Sequence, residues 1–309
     1  MEAFDNVKLI GEGTYGKVYR GVDKKLGKTV AIKRVGIDKE SGFPFTTIRE
    51  IKMLKKLNSP NIVGLNDIYV DNDELYIVME FLPFDLTGLI YRGYKFTEPQ
   101  IKSLTCQLIK ATKYIHSFGM IHRDIKASNI LINQEGLLKL ADFGLTREMS
   151  NNMTNRVCTL WYRAPELLLG STSYDTKVDS WSIGCVIVEM RTGKAPFRAN
   201  DEINQIKVIF EKLGAPQEEY KWSRLLNANK YIKREEWDKI IYDNFGKYFD
   251  DEMLLMVGEF LRLSPRERIS AANSLKLGIL TEYKDALIPI NMPHSHEYYT
   301  KHMRNKADN

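Results

Sequence analysis

His122-Arg123-Asp124-Ile125-Lys126-Ala127-Ser128-Asn129, followed after a short hairpin by Asp142-Phe143-Gly144, is the stretch whose reading decides the fold of this chain. Asp124 and Asn129 are five residues apart. That spacing lets one loop aim a carboxylate at a substrate hydroxyl while an amide oxygen reaches back toward a metal. Asp142 offers a second hard oxygen ligand, and Mg²⁺ prefers such oxygens at octahedral sites shared with substrate phosphates. The apolar runs Ile130–Ile132 and Leu137–Leu140 predict a strand pair between the two triplets. Either triplet alone could be an ordinary polar loop. Both in this order, joined by strands, read as a catalytic centre.

Upstream, residues 7–35 alternate apolar and polar side chains with Gly punctuation, which predicts strands at Val7–Ile10, Lys17–Tyr19 and Thr29–Lys33. Between the first two stands Gly11-Glu12-Gly13-Thr14-Tyr15-Gly16-Lys17-Val18. A dinucleotide-binding turn of this pattern must open a helix. Here Val18-Tyr19-Arg20 continues as a strand, so the turn is a hairpin whose glycines let backbone amides approach phosphates. Val30-Ala31-Ile32-Lys33 then supplies a cation, although a lone strand lysine is more often just solvated. Ile48, Ile51, Leu54 and Leu57 repeat at helical spacing and put Glu50 on an amphipathic helix. Glu50 can pair with Lys33 from there; the bland alternative is an exposed glutamate. Strands are expected at Ile62–Leu65 and Leu75–Met79, and Pro83 ends the sheet, making residues 80–85 a hinge whose backbone could hydrogen-bond an adenine edge.

From Thr97 the pattern turns helical. Thr97 and Gln100 form a capping box, and Ile101, Leu104, Leu108, Ala111 and Ile115 make one apolar stripe, read as core. Tyr174 to Arg191 is nearly continuously apolar, so Asp179 within that buried helix needs hydrogen-bond partners. Amphipathic helices follow around Ile203–Leu213 and Met253–Leu263, and a polar tail follows Thr281, with His294 and His296 read as solvated. There is no internal repeat.

A chain of 309 residues at 43% hydrophobic composition can bury one large or two small cores. The balance of 45 Lys+Arg against 40 Asp+Glu gives +5, well short of a dedicated nucleic-acid binder. Cys106, Cys158 and Cys185 are scattered, with no CxxC, which argues against a disulfide framework or a structural zinc site. No stretch of eighteen apolar residues and no leader-like N-terminus occur, so a soluble, non-secreted chain without a membrane partner is expected.

The glycine hairpin, Lys33, Glu50, the His122–Asn129 loop, Asp142-Phe143-Gly144 and Ala164-Pro165-Glu166 stand in the order that resembles the eukaryotic protein kinases. The resemblance implies an α+β, bilobal fold: a β-rich N-lobe with one regulatory helix (residues 1–80), a hinge and mainly helical C-lobe (81–285) and a tail (286–309). Pro44-Phe45-Thr46-Thr47-Ile48-Arg49-Glu50 resembles the cyclin-binding helix of the cyclin-dependent kinases. The loop sequence, Phe84–Leu89 and Thr154-Asn155-Arg156-Val157 are similar to the transcriptional branch, which phosphorylates the heptad-repeat C-terminal domain of RNA polymerase II. ATP, Mg²⁺, a cyclin, Ser/Thr-Pro substrates and a nuclear location, a cytoplasmic one remaining open, are thereby implied.

The same resemblance assigns roles. Asp124 would orient the substrate hydroxyl, Lys126 would sit near the γ-phosphate, and Asn129 and Asp142 would hold two Mg²⁺ ions. Lys33, held by Glu50, would meet the α- and β-phosphates beneath the hairpin of residues 11–18. Ile10, Val18, Ala31 and Leu131 would sandwich the base, Glu80 and Leu82 would present hinge backbone, and Asp85 would reach the ribose. Arg49, Arg123 and Arg147 would converge on phosphorylated Thr154, the family's activating site, because unpaired guanidiniums repel and a phosphate adds nearly two negative charges. Thr14 and Tyr15 match inhibitory sites. Alone, the chain is expected to hold the Glu50 helix displaced. The segment from Gly144 to Thr159 is shorter than in most relatives, Thr146 and Ala164 depart from the transcriptional pattern, and Lys276–Ile279 lacks a usual His-Pro. The alternatives are a cell-cycle cyclin-dependent kinase, a mitogen-activated type, disfavoured because Met153-Thr154-Asn155 lacks Thr-x-Tyr, and a pseudokinase scaffold, disfavoured because the catalytic residues are intact.

Overall fold

The alternation at the start of the chain folds into β1 (Phe4–Gly13), β2 (Gly16–Asp23) and β3 (Lys28–Gly36), an antiparallel run in a five-stranded sheet. The structure is a computed structural model describing residues 2–13, 16–37, 42–215, 231 and 235–292. The order β1-β2-β3-β5-β4 is completed by β4 (Leu65–Asp71) and β5 (Glu74–Glu80), and the register sets Val18 opposite Lys33 and Ala31 opposite Met79. At Gly16, φ is +149° and an added Cβ would stand 2.2 Å from the Arg34 carbonyl oxygen, so only glycine closes the β1–β2 hairpin this tightly.

Two expectations shift here. β4 begins at Leu65, where the sequence suggested a strand ending there. The cause is the turn at Asn72 and Asp73, whose φ values of 49° and 60° suit these residue types and fix the hairpin from its tip. Ile62 instead forms a parallel bridge to Leu140, in the pair β8 (Ile130–Ile132) and β9 (Leu138–Leu140). The second shift concerns α1 (Phe45–Lys56): Leu54 and the capping Leu57 are buried and Ile51 packs against the core, but Ile48 of the same stripe is 43% exposed and Phe45 before it 84%.

Past the hinge, β6 (Phe84–Asp85) pairs with β8, and Asp85 Oδ1 caps α2 (Leu86–Tyr91) by accepting from Gly88 N at 2.8 Å. In α3 (Glu98–Ser117) both capping-box bonds are present, and the five stripe residues are each 1% exposed or less. A fully buried Leu or Ile contributes about 1.5–3 kcal/mol, so this stripe anchors the helical lobe. The short strands β7 (Met120–Ile121) and β10 (Arg147–Glu148) pair beside the catalytic loop, and α4 (Pro165–Leu168) follows the segment between them and the lobe. α5 (Lys177–Thr192) is buried from Val178 to Met190. Its Gly184 admits α8 (Asp251–Phe260), since a Cβ there would stand 2.9 Å from Phe260 and Leu261 atoms.

The lobe continues with α6 (Glu202–Leu213), α7 (Trp237–Phe245) and α9 (Ala271–Ser274). α7 was not foreseen; its Ile240, Ile241 and Phe245 are buried. After α9 the chain runs back along α3: Ser103 Oγ donates to the Ala286 carbonyl at 2.5 Å, Gln100 Nε2 to Pro289 at 2.6 Å, and Ile290 is 2% exposed. This part of the tail is packed, whereas His294 and His296 lie outside the described residues. The architecture is the expected α+β one, a β-sheet lobe beside a helical lobe. No described helix is long and apolar enough to cross a membrane.

Candidate active site

One buried carboxylate sets the backbone of the catalytic loop. Asp179, in the first turn of α5, is 0% exposed; its Oδ2 accepts from His122 N at 2.9 Å and lies 2.8 Å from His116 Nε2, and its Oδ1 accepts from Arg123 N at 2.9 Å. Burial pushes this carboxyl up, but the bond and field of His116 and the Arg123 N–H outweigh it and leave Asp179 below the usual range. Arg123 sits at φ +67°, a left-handed conformation costing on the order of 1–3 kcal/mol in a non-glycine residue, which the Asp179 bonds sustain. His122 Nδ1 accepts from Asp124 N at 3.2 Å, and its ring meets buried Phe143 edge-on at 5.1 Å. Burial pushes the His122 imidazole toward its neutral form.

Asp124 is 6% exposed and held on both oxygens. Lys126 Nζ lies 2.8 Å from Oδ2, which also accepts from Asn129 Nδ2 at 3.0 Å. Oδ1 accepts from the Thr159 hydroxyl at 3.0 Å and its N–H at 3.2 Å, and Lys126 donates to the same hydroxyl at 2.9 Å. Thr159 therefore belongs to the site, although the sequence did not single it out: its contact to Asp124 spans 35 positions, and only its place just before Leu160-Trp161-Tyr162 hinted at it. The lysine, the aspartate and the threonine form one hydrogen-bonded triangle.

The donor set suits Mg²⁺. Asn129 Nδ2 also donates to the Asp124 carbonyl at 2.9 Å, which leaves its Oδ1 for a metal. Asp142 is exposed, sits at φ +63°, and accepts from Gly144 N at 3.3 Å through Oδ1. No group of three or more His, Cys, Asp or Glu able to cage a metal occurs among the described residues. Mg²⁺ needs no such cage, because one or two side-chain oxygens with substrate phosphates and water suffice.

On the sheet side, Lys33 Nζ lies 2.5 Å from Glu50 Oε2, and Glu50 is 4% exposed. The expectation of a displaced Glu50 helix is thus corrected: α1 sets Glu50 against Lys33. A buried carboxylate without a partner would be costly, and pairing with Lys33 offsets part of that cost. Arg49 Nη1 donates to the Gly144 carbonyl at 3.0 Å and fastens the helix to the Asp142 loop. Burial pushes the Glu50 carboxyl up, Lys33 pulls it back, and Asp142 adds to the rise.

Ile10, Val18, Ala31 and Leu131 are half-buried, Gly11 is buried, and Gly13 pairs with Gly16 at the hairpin end. Glu12 and Lys17 face each other across the hairpin at 3.4 Å, both exposed. Thr14 and Tyr15 lie outside the described residues. Leu82 is 9% exposed. The Glu80 side chain is occupied by Gly64 N at 2.5 Å and Lys139 Nζ at 2.8 Å, so only its backbone can serve a ligand.

Arg49, Arg123 and Arg147 come from α1, the catalytic loop and β10, near enough for their charges to act on Arg49. Burial pushes the Arg49 guanidinium pKa down, and the fields of Arg123 and Arg147 push it further. Arg123 Nη1 donates to the Tyr174 hydroxyl at 3.0 Å, which donates to the Thr154 carbonyl at 2.7 Å. Thr154 itself is exposed, and among the described residues no hydrogen bond joins its hydroxyl to the three guanidiniums. Farther along, Cys158 sits at φ +64° with its carbonyl accepting from Arg163 Nη2 at 3.0 Å and Nε at 3.3 Å. Glu166 makes a bidentate, buried pair with Arg268 at 2.8 and 2.9 Å, locking the end of this segment into the lobe.

The family profile described as protein kinase domain matches residues 4–277. A probable cell division protein kinase of Encephalitozoon cuniculi (strain GB-M1) is 50% identical over 97% of this chain and 97% of its own length. The CTD kinase subunit alpha of Schizosaccharomyces pombe is 42% identical over 98% of this chain and 54% of its own. Cyclin-dependent kinase 12 of Caenorhabditis elegans is 39% identical over 96% of this chain and 44% of its own, so this chain spans about half the length of these last two. With the motifs in order, the catalytic triangle assembled and the match running from Phe4 to Leu277, this chain belongs to the protein kinase family and is a cyclin-dependent protein kinase akin to the transcriptional branch.

Proposed function

We propose that this chain, joined to a cyclin, transfers the γ-phosphate of ATP to Ser or Thr followed by Pro, and that its substrate is the heptad-repeat C-terminal domain of RNA polymerase II, in the nucleus, in support of elongation. The observation that carries the chemistry is the Asp124 carboxylate held by Lys126, Thr159 and Asn129. Phosphoryl transfer passes through a loose transition state, so positioning and charge neutralisation matter more than a strong base. Asp124 accepts the hydrogen bond of the substrate hydroxyl and takes its proton late. Lys126 meets charge at the transferring group, and Lys33, set by Glu50, holds the α- and β-phosphates. Ile10, Val18, Ala31 and Leu131 clasp the base, with the backbone of Glu80 and Leu82 at its edge. Asn129 and Asp142 would hold Mg²⁺, which would supply neutralisation of the phosphates when bound. Phosphorylated Thr154 would join the cyclin helix, the catalytic loop and the activation segment through Arg49, Arg123 and Arg147.

Proline selection rests on Cys158. Its left-handed backbone turns the carbonyl to Arg163, so a substrate N–H after the acceptor finds no partner there, and proline alone has none to lose. The relative named CTD kinase subunit alpha supports the polymerase reading. A second reading, a cell-cycle role, is favoured by the relative named a probable cell division protein kinase. Both are tested by purifying the cyclin complex and comparing a peptide of polymerase heptads, its proline-to-alanine version and an unrelated Ser-Pro peptide. The proposal expects the heptads to be preferred and the alanine version to lose about tenfold or more in kcat/KM, as an unsatisfied buried donor implies. Equal use of heptads and unrelated peptide favours the cell-cycle reading, and indifference to proline overturns the specificity.

A further inference from the structure

Among the described residues no carboxylate pairs with Arg49, Arg123 or Arg147, and the hydroxyl bonded to one of them, Arg147, is that of Ser150. Ser150 Oγ accepts from Arg147 Nη2 at 3.2 Å, and Ser150 is exposed. Among the described residues Arg49 donates to the Gly144 carbonyl and Arg123 to the Leu145 carbonyl and Tyr174 hydroxyl, and no carboxylate neutralises any of the three. Arg147 belongs to β10, paired with β7 immediately before the catalytic loop, while Arg49 belongs to α1 and Arg123 to the loop itself. An anion at Ser150 would meet Arg147, whose field already reaches Arg49.

We propose that Ser150 is a second phosphorylation site, and that its phosphate is received by Arg147 and drawn toward Arg49 and Arg123. The inference extends the reading of the arginine cluster as an anion receiver but does not require Thr154 to be the residue that fills it. An upstream Ser/Thr protein kinase catalyses the step, with ATP as the phosphoryl donor. The Ser150 Oγ–phosphorus bond forms as the bond from the γ-phosphorus to the β–γ bridging oxygen breaks, ADP departs, and the hydroxyl proton passes to that enzyme's base. A phosphoserine brings close to two negative charges and three acceptor oxygens, and guanidiniums take such oxygens bidentately. The three-position hydrogen bond from Arg147 already sets the serine beside its receiver. Thr154 reaches Arg123 only through its own carbonyl and the Tyr174 hydroxyl.

The test has two arms on the full chain. Trypsin cuts after Arg147 and Arg156, so Glu148–Arg156 carries both candidate residues in one peptide, and fragment ions separate them. In protein isolated from its own cells, phosphate on Ser150 is expected; phosphate on Thr154 alone, or on neither, overturns the modification. In the second arm, phosphoserine is installed at 150 or phosphothreonine at 154, and each phosphate is titrated by ³¹P NMR. An ordinary phosphoserine titrates near pH 6, and the cluster is expected to lower that of Ser150 by about half a unit or more. Arg147→Gln should abolish the shift and Arg147→Lys should keep part of it. An unshifted Ser150 phosphate overturns the docking claim, whatever Thr154 shows. A shifted Ser150 phosphate beside an unshifted Thr154 phosphate leaves this inference standing and removes the Thr154 reading.

Discussion

Lys33 Nζ lies 2.5 Å from Glu50 Oε2, joining β3 to α1 while Glu50 is 4% exposed. The pair costs desolvation and gains position: it aims the ammonium into the cleft. Glu50→Gln removes the charge but keeps the shape, so the KM for ATP should rise and kcat/KM fall roughly tenfold to a hundredfold, the scale of a misplaced catalytic group. Because burial raises the Glu50 carboxyl above its ordinary 4.5, protonation begins above that pH. The wild-type KM for ATP should therefore climb as pH falls toward it, and the Glu50→Gln profile should be flat there. Initial-rate kinetics of the cyclin complex measure both, and parallel profiles would refute the assignment.

Thr159 holds Asp124 Oδ1 through its hydroxyl at 3.0 Å. Thr159→Ala should lower kcat by about tenfold or more with little change in the KM for ATP, since the nucleotide contacts lie elsewhere. Thr159→Ser keeps the hydroxyl and should restore most of the rate. If serine and alanine behaved alike, the hydroxyl would have no part in placing Asp124.

His122 is fully buried, and burial holds its folded-state pKa below the ordinary 6.5. Above pH 6.5 both folded and unfolded forms are neutral and the group is without effect. Below it the unfolded chain takes up a proton that the folded chain refuses, so stability falls as pH falls, by up to about 1.4 kcal/mol per unit. Asp179 acts oppositely placed: its lowered carboxyl contributes stability above 3.8 that is lost only below that value. Urea unfolding at pH 7.5, 6.5 and 5.5 should thus show loss confined to the lower interval. A His122 imidazole titrating near 6.5 by NMR would contradict its neutral burial.

What the sequence made legible was periodic or local. The strand alternation through Val18 and Lys33, the Thr97–Gln100 cap and the α3 stripe needed only neighbours a few positions away. β4 was misplaced because its register follows from the Asn72–Asp73 turn and from the bridge of Ile62 to Leu140, which no local pattern encodes. Asp179 was marked as needing partners, yet their identity required the fold, because His122 and Arg123 lie 57 and 56 positions away. Thr159 and Ser150 were passed over for the same reason: each is an unremarkable hydroxyl until the chain brings a carboxylate or a guanidinium to it. The engaged α1 shows a further limit, since whether Glu50 lies in or out is decided by packing that residue identities alone do not fix.

The account turns on Asp124 as the residue that sets the acceptor hydroxyl. The most direct measurement is transfer of label from γ-³²P ATP to a Ser-Pro peptide by the cyclin complex carrying Asp124→Ala, beside a check that ATP still binds. The account predicts a fall in kcat of about a hundredfold or more with nucleotide affinity kept; transfer at the wild-type rate would contradict it.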